Sequence, residues 1–561
     1  MLGKTMATIA DPPFRAPRLT AAPAWLLLAG LAACLGYFAV EAWLLSGDIG
    51  FPLDDSWIHL QFARNLAAGR GLSYNPGEPV TGSTAPLWTA LMSLLFYLPG
   101  SVVVWAKLLG VLLYLAGADA SYRLGRELGA SRGLASLGAF FTLSTGWLVW
   151  AALSGMEVAL FVLLSLWAMI LHLRERTDPA RPPLALAVFA VAVLARPEGA
   201  LLLVLALADR CLTFDRQTPG GELSWRRPAL RPLLLGTGLA ACALAGPLLY
   251  YRLSGGSFLP TTFAAKGGEV RRFLPEVQYV YVILGIFMRA QPYTTLLCGA
   301  GVLGLVERLG TPRDRGLLPA LWLIALPLAY STISPLETSR MIAGNFGRYY
   351  FPLFPVVAIL GALGLERAAR ALRGGLAVAG RRLPLGALLL LLLLWPGVSS
   401  LVQTSGLFAQ SVANVHDSDV RVARWLAARL PREAVLAVND IGALKYFTAN
   451  RVVDLVGIAT PEFRREVTRE TLSGVRWQDA VFAALGRRHP DYLVIFPSWF
   501  PSITHDSRFH PVYGVKIPDN ITMGGTELLV YATPWTRYPL RQLPGDAPKP
   551  GGGLAIGSAA P

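Results

Sequence analysis

Two adjacent carboxylates, Asp54 and Asp55, stand in the run Phe51-Pro52-Leu53-Asp54-Asp55-Ser56-Trp57-Ile58-His59. A helix is expected from there to Ala68, with Gly69 at its end. At a helix start a short acid either caps backbone N–H groups or, ionised and in reach of a hydroxyl, takes its proton. Both uses are open for either residue. Glu157 ends Ser154-Gly155-Met156-Glu157, a minimal turn between two apolar stretches. It is a solvated turn acid or a second working carboxylate. Cations form the other half of the inventory: Lys266, Arg271 and Arg272 behind Phe258-Leu259-Pro260, then Arg340 and Arg348 further on. Acidic headgroups, plain solvation or a bound phosphate would each account for them. His59, Arg196 and Glu198 complete the substrate-binding candidates. Carboxylates and cations beside apolar walls suit a substrate with a lipid tail, a phosphate and a sugar. One carboxylate would deprotonate an acceptor hydroxyl, and the cations would stabilise the departing phosphate.

The elements that must position these residues are membrane helices. Of 561 residues 54% are hydrophobic and only 15% charged, and the mean hydropathy is +0.48. Uncharged stretches long enough to span recur as far as residue 402, and an ordinary soluble texture follows. The expectation is about 11 membrane helices in an all-α polytopic domain over 1–402. Its outer loop is 46–100, and a C-terminal α/β domain over 403–543 and a disordered Gly/Pro/Ala-rich tail over 544–561 follow.

Orientation comes from the arginines. Lys4, Arg15 and Arg18 keep the N-terminus cytoplasmic ahead of a first span over 19–40, for which a signal peptide is the competing reading. Inward returns end at Arg123, Arg126 and Arg132, at Arg174, Arg176 and Arg181, at Arg308, Arg313 and Arg315, and at Arg367, Arg370 and Arg373. The outward spans include 134–151, 233–250, 317–332 and 383–401, so the C-terminal domain lies outside. Segment 184–209 is too short for two crossings and breaks at Arg196-Pro197-Glu198-Gly199. It predicts a pair of short helices with a polar tip buried in protein. Beyond 402, the runs 434–438, 452–456, 492–496 and 528–532 have strand character, with a helix over 420–430.

Several classes are excluded. The net charge of +15 is spread over short loops, with no basic stripe and interleaved aromatics for nucleic acid. Four cysteines and six histidines form neither a disulfide framework nor a zinc spacing. No cofactor is expected. A divalent cation at Asp54 and Asp55 is conceivable, but these motifs bring few further ligands.

The sequence resembles the GT-C fold glycosyltransferases. The first outer loop carries the likeness in Leu53-Asp54-Asp55-Ser56-Trp57-Ile58, Ala63-Arg64-Asn65-Leu66-Ala67-Ala68-Gly69 and Tyr74-Asn75-Pro76-Gly77-Glu78-Pro79-Val80. Ser154-Gly155-Met156-Glu157, Arg196-Pro197-Glu198-Gly199, Leu259-Pro260-Thr261-Thr262-Phe263-Ala264-Ala265-Lys266 and Gly347-Arg348-Tyr349-Tyr350 follow in order. The nearest branch is the one that includes the terminal arabinofuranosyltransferase of mycobacterial cell walls. Asn439-Asp440-Ile441-Gly442-Ala443 and Val453-Asp454-Leu455-Val456-Gly457 are similar to that branch's outer domain. Thr81-Gly82-Ser83-Thr84 and Thr261-Thr262 depart from its wording. The resemblance implies an inverting enzyme of the bacterial cytoplasmic membrane. It would take a polyprenyl-phosphate sugar to an extracytoplasmic glycan or lipid acceptor, and membrane lipids would be its other partners. The base role would fall on Asp54 first and Asp55 second, with Glu157 in support. A lipid or sugar transporter and a non-catalytic glycan-binding membrane protein are the alternatives. A transporter would show internal repeats and mid-span polar residues, and these spans are mostly clean.

Overall fold

The computed structural model describes residues 20–543 apart from 179, 217–221, 256–257, 259, 261–276, 312, 334–346 and 376–384, together with 556–557. Five of its helices are long and apolar enough to cross a membrane. They are α1 (Ala24–Leu44), α4 (Val102–Glu127), α7 (Val158–Thr177), α10 (Leu230–Gly255) and α14 (Phe354–Gly375), the last entered through the 3₁₀ turn Arg348–Leu353. The chain is a multi-pass membrane protein. α2 (Asp54–Ala67) and α3 (Pro86–Leu94) lie in the first loop between α1 and α4. The expected single span over 134–151 is instead two helices, α5 (Arg132–Leu143) and α6 (Gly146–Leu153), bent by 58° at Ser144-Thr145. Counted as one span, they raise the total to six. Both break residues turn their hydroxyls onto the Phe141 carbonyl, the local competition with helical bonding that bends helices.

The segment 184–209 forms α8 (Ala185–Ala195) and α9 (Gly199–Cys211), with Arg196 at the break only 5% exposed. Further on, α11 (Val277–Ala290), α12 (Pro292–Val306) and α13 (Leu318–Ile333) precede α14. The sequence reading placed no helix over α11, which lies in the expected outer loop, nor the hairpin of β1 (Thr213–Arg216) and β2 (Leu223–Arg226).

Burial sorts the helices. Over the apolar 18-residue stretch within Arg348–Arg370, 83% is buried, against 11% in that of Leu230–Ser254. α10 exposes Leu234, Leu235, Leu239, Leu249 and Leu253, as a lipid-facing helix does. α14 is central and crosses α12 closely, because a Cβ on Gly301 would collide with the Leu360 carbonyl and one on Gly364 with that of Leu297. Without a hydrophobic drive between helices in lipid, such small residues let backbones meet. The arginine-bearing ends gather at one end of the bundle. Arg174 pairs with Glu127 at 2.5 Å, Arg308 donates to the Leu128 carbonyl at 2.7 Å, Arg176 lies 3.6 Å from Asp314, and Arg367 pairs with Glu307.

α15 (Leu385–Val415) runs unbroken through residue 402 into the C-terminal unit. That unit has a six-stranded mixed sheet in the order β4-β3-β5-β7-β6-β8. β3 (Val435–Val438) is flanked by β4 (Arg451–Asp454) and β5 (Tyr492–Ile495), both parallel to it. β7 (Glu527–Ala532) pairs antiparallel with β5 and with β6 (His510–Lys516). Of the expected disordered tail, only Ile556–Gly557 is described; it is β8, parallel to β6.

Side chains alternate across the sheet. Ala437, Val453 and Leu493 pack under α18 (Pro461–Leu472) and α19 (Trp477–Gly486). Leu436, Val438, Val452 and Val494 face α16 (Arg421–Arg429) and α17 (Gly442–Thr448). The latter face is completed by Ile58, Phe62, Tyr74 and Val80 of the first outer loop. One hydrophobic core therefore joins the loop after α1 to the C-terminal unit.

Candidate functional site

Six of the residues singled out in the sequence meet in one charged network. Arg348 binds Asp55 at 2.5 Å. Its neighbour Tyr349 holds its ring between two guanidiniums, 5.4 Å from that of Arg348 and 5.3 Å from that of Arg196. Arg196 pairs with Glu157 and, at 2.7 Å, with Glu198. Glu157 in turn lies 3.3 Å from His59. Tyr330 of α13 donates to Glu198. Lys266, Arg271, Arg272 and Arg340 lie outside the described residues.

Local structure explains how these side chains arrive. Ser56 donates to the Ser154 carbonyl at 2.6 Å and Trp88 to that of Gly155 at 3.0 Å, which ties α2 and α3 to the turn bearing Glu157. Gly155 has φ 73°, and a Cβ there would be driven into the Phe51 ring. Arg196 gets there from the opposite end of the bundle. α8 starts where the Ala185 N–H meets Glu175 at 2.7 Å. From that level back to Glu157, α7 rises about 27 Å, and α8 covers about 16 Å of it. The extended Arg196 side chain covers much of the remainder. Gly347, with φ 67°, turns the chain so that Arg348 opens the 3₁₀ turn.

Burial would by itself push the Glu157 carboxyl up, but Arg196 and His59 outweigh it and hold it at about 2. The residue is therefore an ionised, structured acid, not a solvated turn. Among the described residues the network still leaves buried polar atoms with no hydrogen-bond partner: His59 Nδ1, Glu157 Oε2, Arg196 Nε and Glu198 Oε2. Such orphans are rare in interiors and mark places where a ligand or water belongs.

Asp54 and Asp55 part company. The cap of α2 is Leu53, in extended conformation, with no side-chain cap bond, so the reading of either aspartate as the cap of its own helix fails. Asp54 instead caps another helix. Its two oxygens accept from the Gly442 N–H at 2.6 Å and the Ala443 N–H at 2.7 Å, at the start of α17. Burial raises its pKa, these two amides lower it, and Asp55 and Asp454 raise it again; the net shift is upward. Asp55 keeps 28% side-chain exposure beside Arg348.

The Tyr74-Asn75-Pro76-Gly77-Glu78 motif is a docking device. Asn75 exchanges two 3.0 Å bonds with the backbone of Val452, Tyr74 donates to the Ile441 carbonyl at 2.6 Å, and Glu78 pairs with Arg451 at 2.6 Å.

Sequence reasoning missed Tyr330, Tyr349, Asp419 and Asp440 as site residues. Tyr349 and Asp440 do lie inside motifs noted above, whereas Tyr330 and Asp419 carry no local signal. Asp419 is fully buried within 4.8 Å of Asp54 and Asp440, measured between carboxylate oxygens.

Comparison with known proteins bears on the architecture. Residues 410–538 match a family model described as a domain of unknown function, DUF8728. No curated protein matches the chain. Among solved structures, ArnT from Cupriavidus metallidurans bound to undecaprenyl phosphate is similar over 91% of this chain and 98% of its own, with TM-score 0.57 and 15% identity. The apo state of that protein gives TM-score 0.55 at the same identity and coverage. Arabinofuranosyltransferase AftD from Mycobacteria aligns more loosely, at TM-score 0.44 and 17% identity, over 91% of this chain and 42% of its own. The fold is the GT-C fold.

Proposed function

We propose that this chain is an inverting, integral-membrane glycosyltransferase that moves a sugar from a polyprenyl-phosphate donor to an extracytoplasmic glycan or lipid acceptor. The observation that carries this reading is the convergence of Asp55, Arg348, Arg196, Glu157, Glu198 and His59 at the end of the bundle opposite the paired arginine ends. A fold shared with a protein solved on undecaprenyl phosphate supports the donor class. The site then lies on the outer face of the bacterial cytoplasmic membrane, roofed by an extracytoplasmic α/β domain.

The chemistry needs a base, an anomeric carbon and a stabilised leaving group. The acceptor hydroxyl gives its proton to an ionised carboxylate, and its oxygen bonds to the anomeric carbon from the side opposite the phosphate. The carbon–oxygen bond to phosphate breaks, and its electron pair leaves on polyprenyl phosphate, where cations meet the charge. Arg348 fits that cation role, with Lys266, Arg271, Arg272 and Arg340 as further candidates. Phosphate binding would draw the Arg348 guanidinium from Asp55 and leave that carboxylate facing the acceptor. Asp55 is therefore the better-placed base of the pair, while Asp54, with both oxygens on α17 amides, holds α2 in position. Glu157 fixes Arg196 and orients His59.

Purified protein mixed with polyprenyl-phosphate pentoses or hexoses and candidate acceptors should release polyprenyl phosphate only when an acceptor is present. A donor that crosses the bilayer intact, with no cleavage under any acceptor, would replace the transferase reading with transport.

A further inference from the structure

Three carboxylates from separate stretches converge where the first outer loop meets the C-terminal unit. Asp54 opens α2, Asp419 sits in the π-helical turn His416–Val420 between α15 and α16, and Asp440 lies between β3 and α17. An oxygen from each lies within 4.8 Å of the others. Asp419 is 0% exposed, and neither of its oxygens has a hydrogen-bond partner among the described residues. A carboxylate so buried is tolerated only if it is neutralised or compensated. Neutralisation by a proton shared with a neighbour would put two carboxylates in a short hydrogen bond of about 2.5–2.7 Å. Asp419 makes no such bond to Asp54 or Asp440. The π turn adds to the picture, since that rare distortion of a helix often marks a functional position.

We propose that Asp54, Asp419 and Asp440 bind a hard divalent cation, best fitted by calcium, that clamps the first outer loop to the C-terminal unit. The donors are all carboxylate oxygens, which favours calcium or magnesium over zinc or copper. Magnesium is usually held by one or two carboxylates and keeps several waters, whereas calcium takes several carboxylates in flexible geometry, so three converging aspartates favour calcium. Asp54 keeps its α17 amides in the process, because each carboxylate oxygen has a second lone pair. The ion would neutralise charge that the fold otherwise buries uncompensated, and it would join the first outer loop to two segments of the C-terminal unit. None of this depends on the transfer reaction, so its failure and that of the transferase reading are separable.

The test uses the full chain, purified in detergent, stripped with chelator and titrated with calcium chloride alone. Wild-type protein should bind one calcium per chain with a dissociation constant below about 1 mM, in the range of extracellular calcium modules. Its thermal unfolding midpoint should rise by several degrees at saturation. Asp419→Asn should weaken binding at least tenfold and abolish the shift, while its calcium-free midpoint stays at or above that of stripped wild type. Asp440→Asn gives the same readout if Asp419→Asn does not fold. No calcium binding by wild type at millimolar concentration would overturn the proposal. So would a folded Asp419→Asn protein that binds calcium as wild type does.

Discussion

At the scale of residues, Asp54 and Asp55 show how adjacent identical side chains acquire different work. On a helix they point about 100° apart, so one meets the amides of α17 and the other meets Arg348. Asp55→Asn should lower turnover by about 10²–10⁴-fold, the worth of a positioned base, with expression unchanged. Asp54→Asn keeps one acceptor oxygen for α17 and should cost less than tenfold. The reverse order of these two losses, measured as polyprenyl phosphate release, would hand the base role back to Asp54. Arg196→Ala strands Glu157 and Glu198 as buried carboxylates without their cation, and should destabilise the protein by about 3–5 kcal/mol in thermal unfolding. Glu157 carries a pH consequence. Its folded pKa of about 2 lies below the unfolded value, so its stabilisation is complete above that value and is lost only as pH falls toward 2. The midpoint gap between wild type and Glu157→Gln should therefore be the same at pH 6 and pH 8.

At the scale of elements, the contact between α2 and α17 is the joint on which the site depends. It is close because residue 442 is glycine: an added Cβ would collide with the Asp54 carbonyl and stand 2.6 Å from its carboxylate oxygen. Gly442→Ala should force α17 away from α2 and cost about 1–3 kcal/mol, as overpacking does. The checks are a lower unfolding midpoint and faster proteolysis between α15 and β3. Tyr74→Phe removes only the hydroxyl bond to Ile441, and about 1 kcal/mol is expected there. The broken pair α8–α9 works differently. Its 16-Å arm is too short to cross, so its polar tip has no aqueous exit and must be satisfied inside the protein. Glu157 and Tyr330 do so.

At the scale of the whole molecule, paired arginine ends and the carboxylate network occupy opposite ends of the bundle. The positive-inside rule predicts that the arginine end is cytoplasmic. A small cysteine-reactive tag placed after residue 543 should then be labelled by a membrane-impermeant reagent in intact cells once the outer envelope is permeable. Labelling only after the cytoplasmic membrane is lysed would place the C-terminal unit, and the site with it, on the wrong face.

Composition and periodicity alone established a multi-pass membrane protein, because uncharged runs of spanning length and arginine-bearing returns are properties of short windows. Local sequence also foretold the α8–α9 break at Arg196-Pro197, since proline removes a backbone donor and charged groups at membrane depth must be buried in protein. The strands over 435–438, 451–454, 492–495 and 527–532 lie within or beside the apolar runs that announce them. The motif residues Asp55, His59, Glu157, Arg196, Glu198 and Arg348 were legible as polar groups that apolar surroundings would not otherwise tolerate. Their pairing was not. Which cation faces which carboxylate depends on helices up to 293 residues apart in the chain, and no local pattern encodes that distance. The same holds for Asp54, which reads as the cap of its own helix until the tertiary fold brings α17 against it. It holds most of all for Asp419, an ordinary polar residue in a polar stretch, until the tertiary fold removes it from water beside Asp54 and Asp440.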